Sequence, residues 1–198
     1  MTESNFDKRL KEMLNLENSA FESDDDFEFN EKDRDFDSKS DKTKKKPQSK
    51  ESAKFYVAAL CSRSEYCIFD IKEKLRKKQL PQDEIDEIIE FLLKEKYIDE
   101  TRYCRSFIND KYKYAKWGKI KIAYMLKSKK IPNDLIYNSM DENIDEEVYL
   151  ENLEKALTDK RKSVKGSDKY EIKSKLFRFA SGRGYESDDI SKILNKIL

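Results

Sequence analysis

Histidine is absent from the sequence, which removes the commonest general base and with it the usual nucleophile–histidine arrangements. The three cysteines, Cys61, Cys67 and Cys104, are odd in number and form no CxxC pair, so neither a disulfide framework nor a zinc site is indicated. Cys61 and Cys104 fall on apolar helical faces and Cys67 at a helix start, where small core or cap residues belong. No GxxxxGK[ST] loop is present to cradle a nucleotide. Adjacent carboxylates such as Glu146 and Glu147 read as solvated surface in a chain that is 42% charged. These residues predict no enzyme, no cofactor and no metal.

What remains is contact chemistry. Guanidinium and ammonium groups can meet an acidic protein surface or the phosphates of a nucleic acid, and aromatics beside them can add stacking area. The candidates are Arg63 after the first helix and Lys72 and Arg76 on the second. The middle of the chain adds Arg102, Arg105, Lys113, Trp117, Lys119 and Lys121, and Arg183 lies near the end. Trp117 reads equally as a binding aromatic and as a core staple between modules, and Arg63 as a contact or a helix cap. With 42 basic and 41 acidic residues, any single lysine reads first as part of a solvated helix face.

These groups are carried by a stretch that occurs three times. Residues 71–89, 122–140 and 176–194 align without gaps, and the step between copies is roughly fifty residues, the period of a helical array. Ile71, Ile122 and Leu176 share a column, as do Leu75, Leu126 and Ala180. Further columns are Leu80, Ile131, Tyr185; then Asp83, Asp134, Asp188; then Ile85, Ile136, Ile190. Each copy is an apolar i, i+4 pair, a break, and a second apolar stripe at helical spacing, hence two helices about a tight turn. A further helix precedes each pair, built on Phe55, Val57, Ala58, Ala59, Leu60; on Tyr103, Cys104, Phe107, Ile108, Tyr112; and on Val148, Leu150, Leu153, Ala156, Leu157.

Local signals fix the joints. Pro81 and Pro132 open the third helix of their repeats, and Asp83 places an acid in the first turn. Gly118 breaks the middle repeat, Asp168 to Glu171 has capping-box spacing, and Gly184 suits a helix end needing positive φ. Strand signals are absent. The expected fold is all-α, an elongated, curved array of three tandem three-helix repeats over 53–99, 100–144 and 145–198.

Residues 1–52 differ from the rest. An acidic run from Glu22 to Asp37, spiked with Phe21, Phe27, Phe29 and Phe36, gives way to the basic Lys39–Lys46 tract. So little apolar surface predicts a disordered acidic-then-basic tail, either a solvating linker or a segment that folds on a partner. The net charge of +1 and 37% hydrophobic content suit slender solvated helical layers, and by themselves predict neither nucleic-acid nor membrane binding. No apolar run of about eighteen residues and no signal-peptide core occur, so a soluble, cytoplasmic chain is expected.

Leu60–Cys67, leading into Asp70-Ile71 and Lys74-Leu75, resembles the opening signature of the RecX family, regulatory proteins of the RecA recombinase. Tyr97-Ile98-Asp99-Glu100 with Tyr103 and Phe107 resembles its central block, as do Gly118, Lys121, Ile122, Leu126, Lys129 and Ile131. Arg183-Gly184-Tyr185 with Ile190 resembles its C-terminal end. The sequence departs from the family pattern at Cys67, where serine is usual; at Gln79 and Lys130, where glycine is usual; and at Lys121, where arginine is common. The resemblance implies a monomer that binds the RecA filament on single-stranded DNA, touching DNA directly or through RecA. It would inhibit filament extension, ATP hydrolysis, strand exchange and coprotease activity, and so modulate recombination, DNA repair and the SOS response. The other reading of the residues is a general nucleic-acid-binding helical protein that acts without RecA.

Overall fold

The computed structural model describes residues 49–198, and among them the secondary structure is helical throughout, with no strand. The first module comprises α1 (Lys50–Cys61), α2 (Ile68–Lys77) and α3 (Gln82–Lys94). The second comprises α4 (Glu100–Lys113), α5 (Lys119–Ser128) and α6 (Asn133–Asn143), and the third α7 (Glu146–Ser163), α8 (Lys169–Gly182) and α9 (Ser187–Ile197). The expectation of a disordered tail concerns residues that, but for 49–52, lie outside those described. Its boundary shifts, because Ser49 caps α1 and Ala53 is already fully buried, so the helix begins inside the stretch assigned to the tail.

The aligned columns are the cores. Ile71, Leu75, Leu80, Ile85 and Ile89 close over Val57 in the first module. Ile122, Leu126, Ile131, Ile136 and Met140 do the same with Cys104 and Ile108, and Leu176, Ala180, Tyr185, Ile190 and Leu194 with Leu153 and Leu157. Burying a Leu or Ile side chain contributes about 1.5–3 kcal/mol, so each triplet holds its helices by a compact apolar centre. Two side chains at the start of α2 cross over: Cys67 belongs to the core of the second module, and the half-buried Phe69 packs against it.

Helix ends follow the local chemistry. Asp99 accepts hydrogen bonds from the Thr101 and Arg102 amides at 2.9 and 3.0 Å, and Asp145 from those of Glu147 and Val148 at 3.0 and 3.1 Å. Asp168 accepts from the Glu171 amide at 2.7 Å, but Glu171 returns to the Ser167 amide rather than to Asp168. The middle helix of every module ends on a residue with left-handed backbone: Gln79 at φ 61°, Lys130 at φ 64° and Gly184 at φ 84°. The Ile131 and Tyr185 amides then reach back to the Leu126 and Ala180 carbonyls, the Schellman arrangement. Where the family usually has glycine, Gln79 and Lys130 take up the glycine-like conformation at a steric cost.

Candidate partner interface

The ten candidate residues sort into joints, ion pairs and open surface. Two are locked into the first joint or beside the second. Arg102 Nε lies 3.1 Å from Glu65 Oε1, and its Nη2 donates to the Lys96 and Tyr97 carbonyls at 3.1 and 3.4 Å. Arg183 donates to the Ala115 carbonyl at 3.3 Å and lies over the Phe179 ring. Lys119 pairs with Glu146 at 2.5 Å and sits over Tyr149. Lys72 pairs with Asp86 at 2.9 Å and Arg76 with Glu73 at 2.6 Å, both within the first module. Arg63, Arg105 and Lys113 are exposed.

Trp117 is 5% exposed and lies in the core of the second module, edge-on to Phe107 with centroids 6.4 Å apart. It is thus a core residue within the second module rather than a staple between modules, and its large apolar ring is enclosed there. Lys111 and Lys121 stand over its ring at 5.3 and 4.7 Å. Lys121 is half-buried there, so its contribution is to cover the indole as much as to display charge.

The joints share one feature. The middle helices α2 and α5 begin at Cys67 and Gly118, whose side chains cap nothing. At the first joint burial raises the Glu100 carboxyl of α4 above the ordinary range, against the lowering effect of the nearby Ile68 amide. At the second joint the first helix of the next module supplies the missing acceptor. Tyr149 of α7 accepts from the Lys119 amide at 3.0 Å, and its hydroxyl in turn donates to Glu186 at 2.6 Å. Burial likewise raises Glu186, against the lowering effect of the Tyr149 hydrogen bond. An ion pair, Lys129 with Asp70 at 2.6 Å, also bridges the first two modules.

Between the second and third modules two backbones touch. The Gly118 amide donates to the Arg183 carbonyl at 2.8 Å and the Ile120 amide to the Gly184 carbonyl at 3.1 Å. A Cβ on Gly118 would lie 2.0 Å from the Gly184 oxygen, and one on Gly184 would lie 2.4 Å from Lys121 Cβ. Tyr185 adds a hydrogen bond to the Lys116 carbonyl at 3.1 Å, and Asn152 one to the Tyr112 carbonyl at 3.3 Å. Glycine is required here for closeness of approach, a reason distinct from the helix break that the sequence suggests at Gly118.

The thiols offer no nucleophile. Burial pushes Cys61 up to about 11 and both Cys67 and Cys104 up to about 12, so all three are protonated near neutral pH. Among the described residues no group of three or more His, Cys, Asp or Glu side chains could hold a metal ion. No described helix is long and apolar enough to cross a membrane.

Two aromatics of the middle module are exposed: Tyr114, 81% exposed after α4, which the sequence already suggests as a contact beside Trp117, and Tyr124, 48% exposed on α5, which the sequence pattern places on the apolar face of its helix. The signal against that placement was available, since Tyr124 lies two residues from both Ile122 and Leu126 and thus away from the buried stripe. It belongs to an acid-free stretch. Between Asp110 and Asp134 there are eight lysines and no carboxylate side chain.

Tandem three-helix modules, each with its own core, define a helical repeat protein. Residues 99–139 match the family model described as the second three-helix domain of RecX, and residues 147–194 the one described as its third. The regulatory protein RecX of Vibrio parahaemolyticus is 30% identical over 144 residues, covering 73% of this chain and 90% of that protein. The chain belongs to the RecX family. The regulatory protein RecX of Clostridium acetobutylicum is 32% identical over 131 residues, 65% of this chain and 60% of that relative. The matched region thus spans about three fifths of the clostridial relatives' length. A crystal structure of RecX from Lactobacillus salivarius shares the fold at TM-score 0.63 and 18% identity, covering 74% of this chain and 95% of that one.

Proposed function

We propose that this protein binds the RecA filament assembled on single-stranded DNA and inhibits its extension, ATP hydrolysis, strand exchange and coprotease activity. It would act as a monomer in the cytoplasm and without catalysis, modulating recombination, DNA repair and the SOS response. The observation that carries the reading is the repeat itself: three modules, each a separate core, joined by the Lys129–Asp70 ion pair and the Lys119–Tyr149 hydrogen bond. A filament presents equivalent sites at a fixed step, and a tandem ligand meets them with several weak contacts. After the first contact the others are effectively intramolecular, so modest patches sum to tight binding. Arg63, Arg105 and Lys113 are the sequence candidates that remain available for such contacts, while Arg102, Lys119 and Arg183 serve chiefly to hold the modules in register.

Co-sedimentation tests this. The protein is expected in the pellet with RecA, single-stranded DNA and a slowly hydrolysed ATP analogue, and in the supernatant with RecA alone. Pelleting that is the same with and without RecA would instead support the reading as a general nucleic-acid-binding protein.

A further inference from the structure

We infer that the outward face of α5, centred on Tyr124, binds single-stranded polynucleotide directly, with a base stacked on the tyrosine ring and the flanking phosphates on Lys127 and Lys130. This extends the functional proposal by naming what the middle module touches, and it is testable with no recombinase present. The buried stripe of α5 is Ile122, Ala123 and Leu126. Tyr124 points away from it and is about half exposed. Its neighbours at i±3 and i±4, the positions that share its patch of helix surface, are Ile120, Lys121, Lys127 and Ser128. None is acidic. Lys127 is steadied by a 2.8 Å hydrogen bond to the Tyr137 hydroxyl, a neutral acceptor that leaves its positive charge in place. Lys130 stands exposed at the end of the helix with φ 64°.

The arrangement is particular to the middle module. The residue aligned with Tyr124 is Glu73 on α2, which pairs with Arg76, and Arg178 on α8. The surrounding stretch, Lys111 to Asn133, carries eight lysines and no acid, while the remainder of the chain is net acidic. Asp110, Asp70 and Glu146 reach Lys111, Lys129 and Lys119. A half-exposed aromatic with Lys121 and Lys127 among its helix neighbours serves unstacked bases well, since every base offers a π-face, and serves a duplex poorly. An acidic protein partner would use the lysines but gain little from the ring, and this makes the two separable.

Fluorescence anisotropy of a labelled 20-mer oligothymidylate with the full chain, across a salt series and without RecA, tests the assignment. Binding is expected to weaken steeply with salt. Tyr124→Ala should weaken it by about five-fold or more, while Tyr124→Phe, which keeps the ring, stays within about two-fold of the parent. The double variant Lys127→Ala, Lys130→Ala should lower the salt slope by about 1.4, roughly 0.7 per phosphate contact. Heparin, a polyanion without bases, should bind the Tyr124→Ala protein as well as the parent, and Tyr170→Ala, a tyrosine on α8, should change nothing. Circular dichroism confirms that each variant is folded. Unchanged oligonucleotide affinity in Tyr124→Ala, equal loss of heparin binding, tighter binding of duplex than of single strand, or no binding at tens of micromolar would each overturn the assignment. Failure here with RecA-dependent pelleting intact sinks only this inference; the reverse pattern sinks the functional proposal and leaves the face standing.

Discussion

Replacing Gly118 with alanine adds a single methyl group, at the place where the second and third modules touch. The backbone of Gly118 has φ −77° and ψ 161°, comfortable for any residue, so the whole effect is steric. The new Cβ would lie 2.0 Å from the Gly184 oxygen, 2.1 Å from its carbonyl carbon and 2.2 Å from the Tyr185 nitrogen. All three are backbone atoms and cannot rotate aside, so the joint must open. Overpacking of this kind costs about 1–3 kcal/mol. Opening also strains the Gly118–Arg183 and Ile120–Gly184 hydrogen bonds, each contributing about 0.5–1.5 kcal/mol. A loss of about 2–5 kcal/mol is expected in urea unfolding followed by circular dichroism, a large share of a marginal stability. Gly184→Ala should do similar harm, since it combines φ 84° with a 2.4 Å approach to Lys121 Cβ. Gly182→Ala is the control: nothing lies within 4 Å of its Cβ, and inside α8 alanine should gain about 0.5–1 kcal/mol. A loss below about 1 kcal/mol for Gly118→Ala would refute the close joint.

Further outcomes follow from the same geometry. Gln79→Gly and Lys130→Gly should each stabilise the chain by about 0.5–1 kcal/mol, because a left-handed non-glycine residue costs about 1–2 kcal/mol and glycine's extra chain entropy returns part of that; urea midpoints check it, and destabilisation would contradict it. Glu171 is held down to about 2, first by Lys175 and then by Ser167, against its ordinary 4.5. Its folded value lies below the unfolded one, so its contribution is complete above about pH 5 and is lost as the pH falls toward 2; Glu171→Gln should flatten the stability profile in that window and leave the slope above it unchanged. Arg102→Ala should cost about 1–3 kcal/mol by stranding the Lys96 and Tyr97 carbonyls and Glu65. The double variant Arg105→Glu, Lys113→Glu should instead melt like the parent and pellet poorly with the filament.

The helices and their cores were legible in the sequence because burial imposes a period, and the period repeats. Ile71, Ile122 and Leu176 occupy equivalent places in three cores because each is the inward residue of an equivalent turn. The endings at Gln79 and Lys130 were not legible: without glycine there, the sequence suggests that those helices close some other way, whereas both residues adopt the left-handed backbone that Gly184 adopts in the third module. The site was less legible. Whether Trp117 faces water or the core is decided by Phe107, ten positions before it on α4 and brought alongside by the turn at Lys116, which no linear spacing reveals. Arg102 and Lys119 look like free cations in sequence, and only the fold brings Glu65 and Glu146 to them. The Gly118–Gly184 contact joins residues from different modules, so composition near either one carries no trace of the other. Tyr124 could have been found, because its angular position on α5 follows from Ile122 and Leu126 alone.

The central claim is that a repeated, non-catalytic module restrains a polymer through several contacts per chain. Its most direct test is the DNA-stimulated ATPase of RecA, titrated with this protein at fixed RecA and DNA. Half-inhibition is predicted at far fewer than one chain per RecA protomer. Inhibition only near one chain per protomer would contradict it.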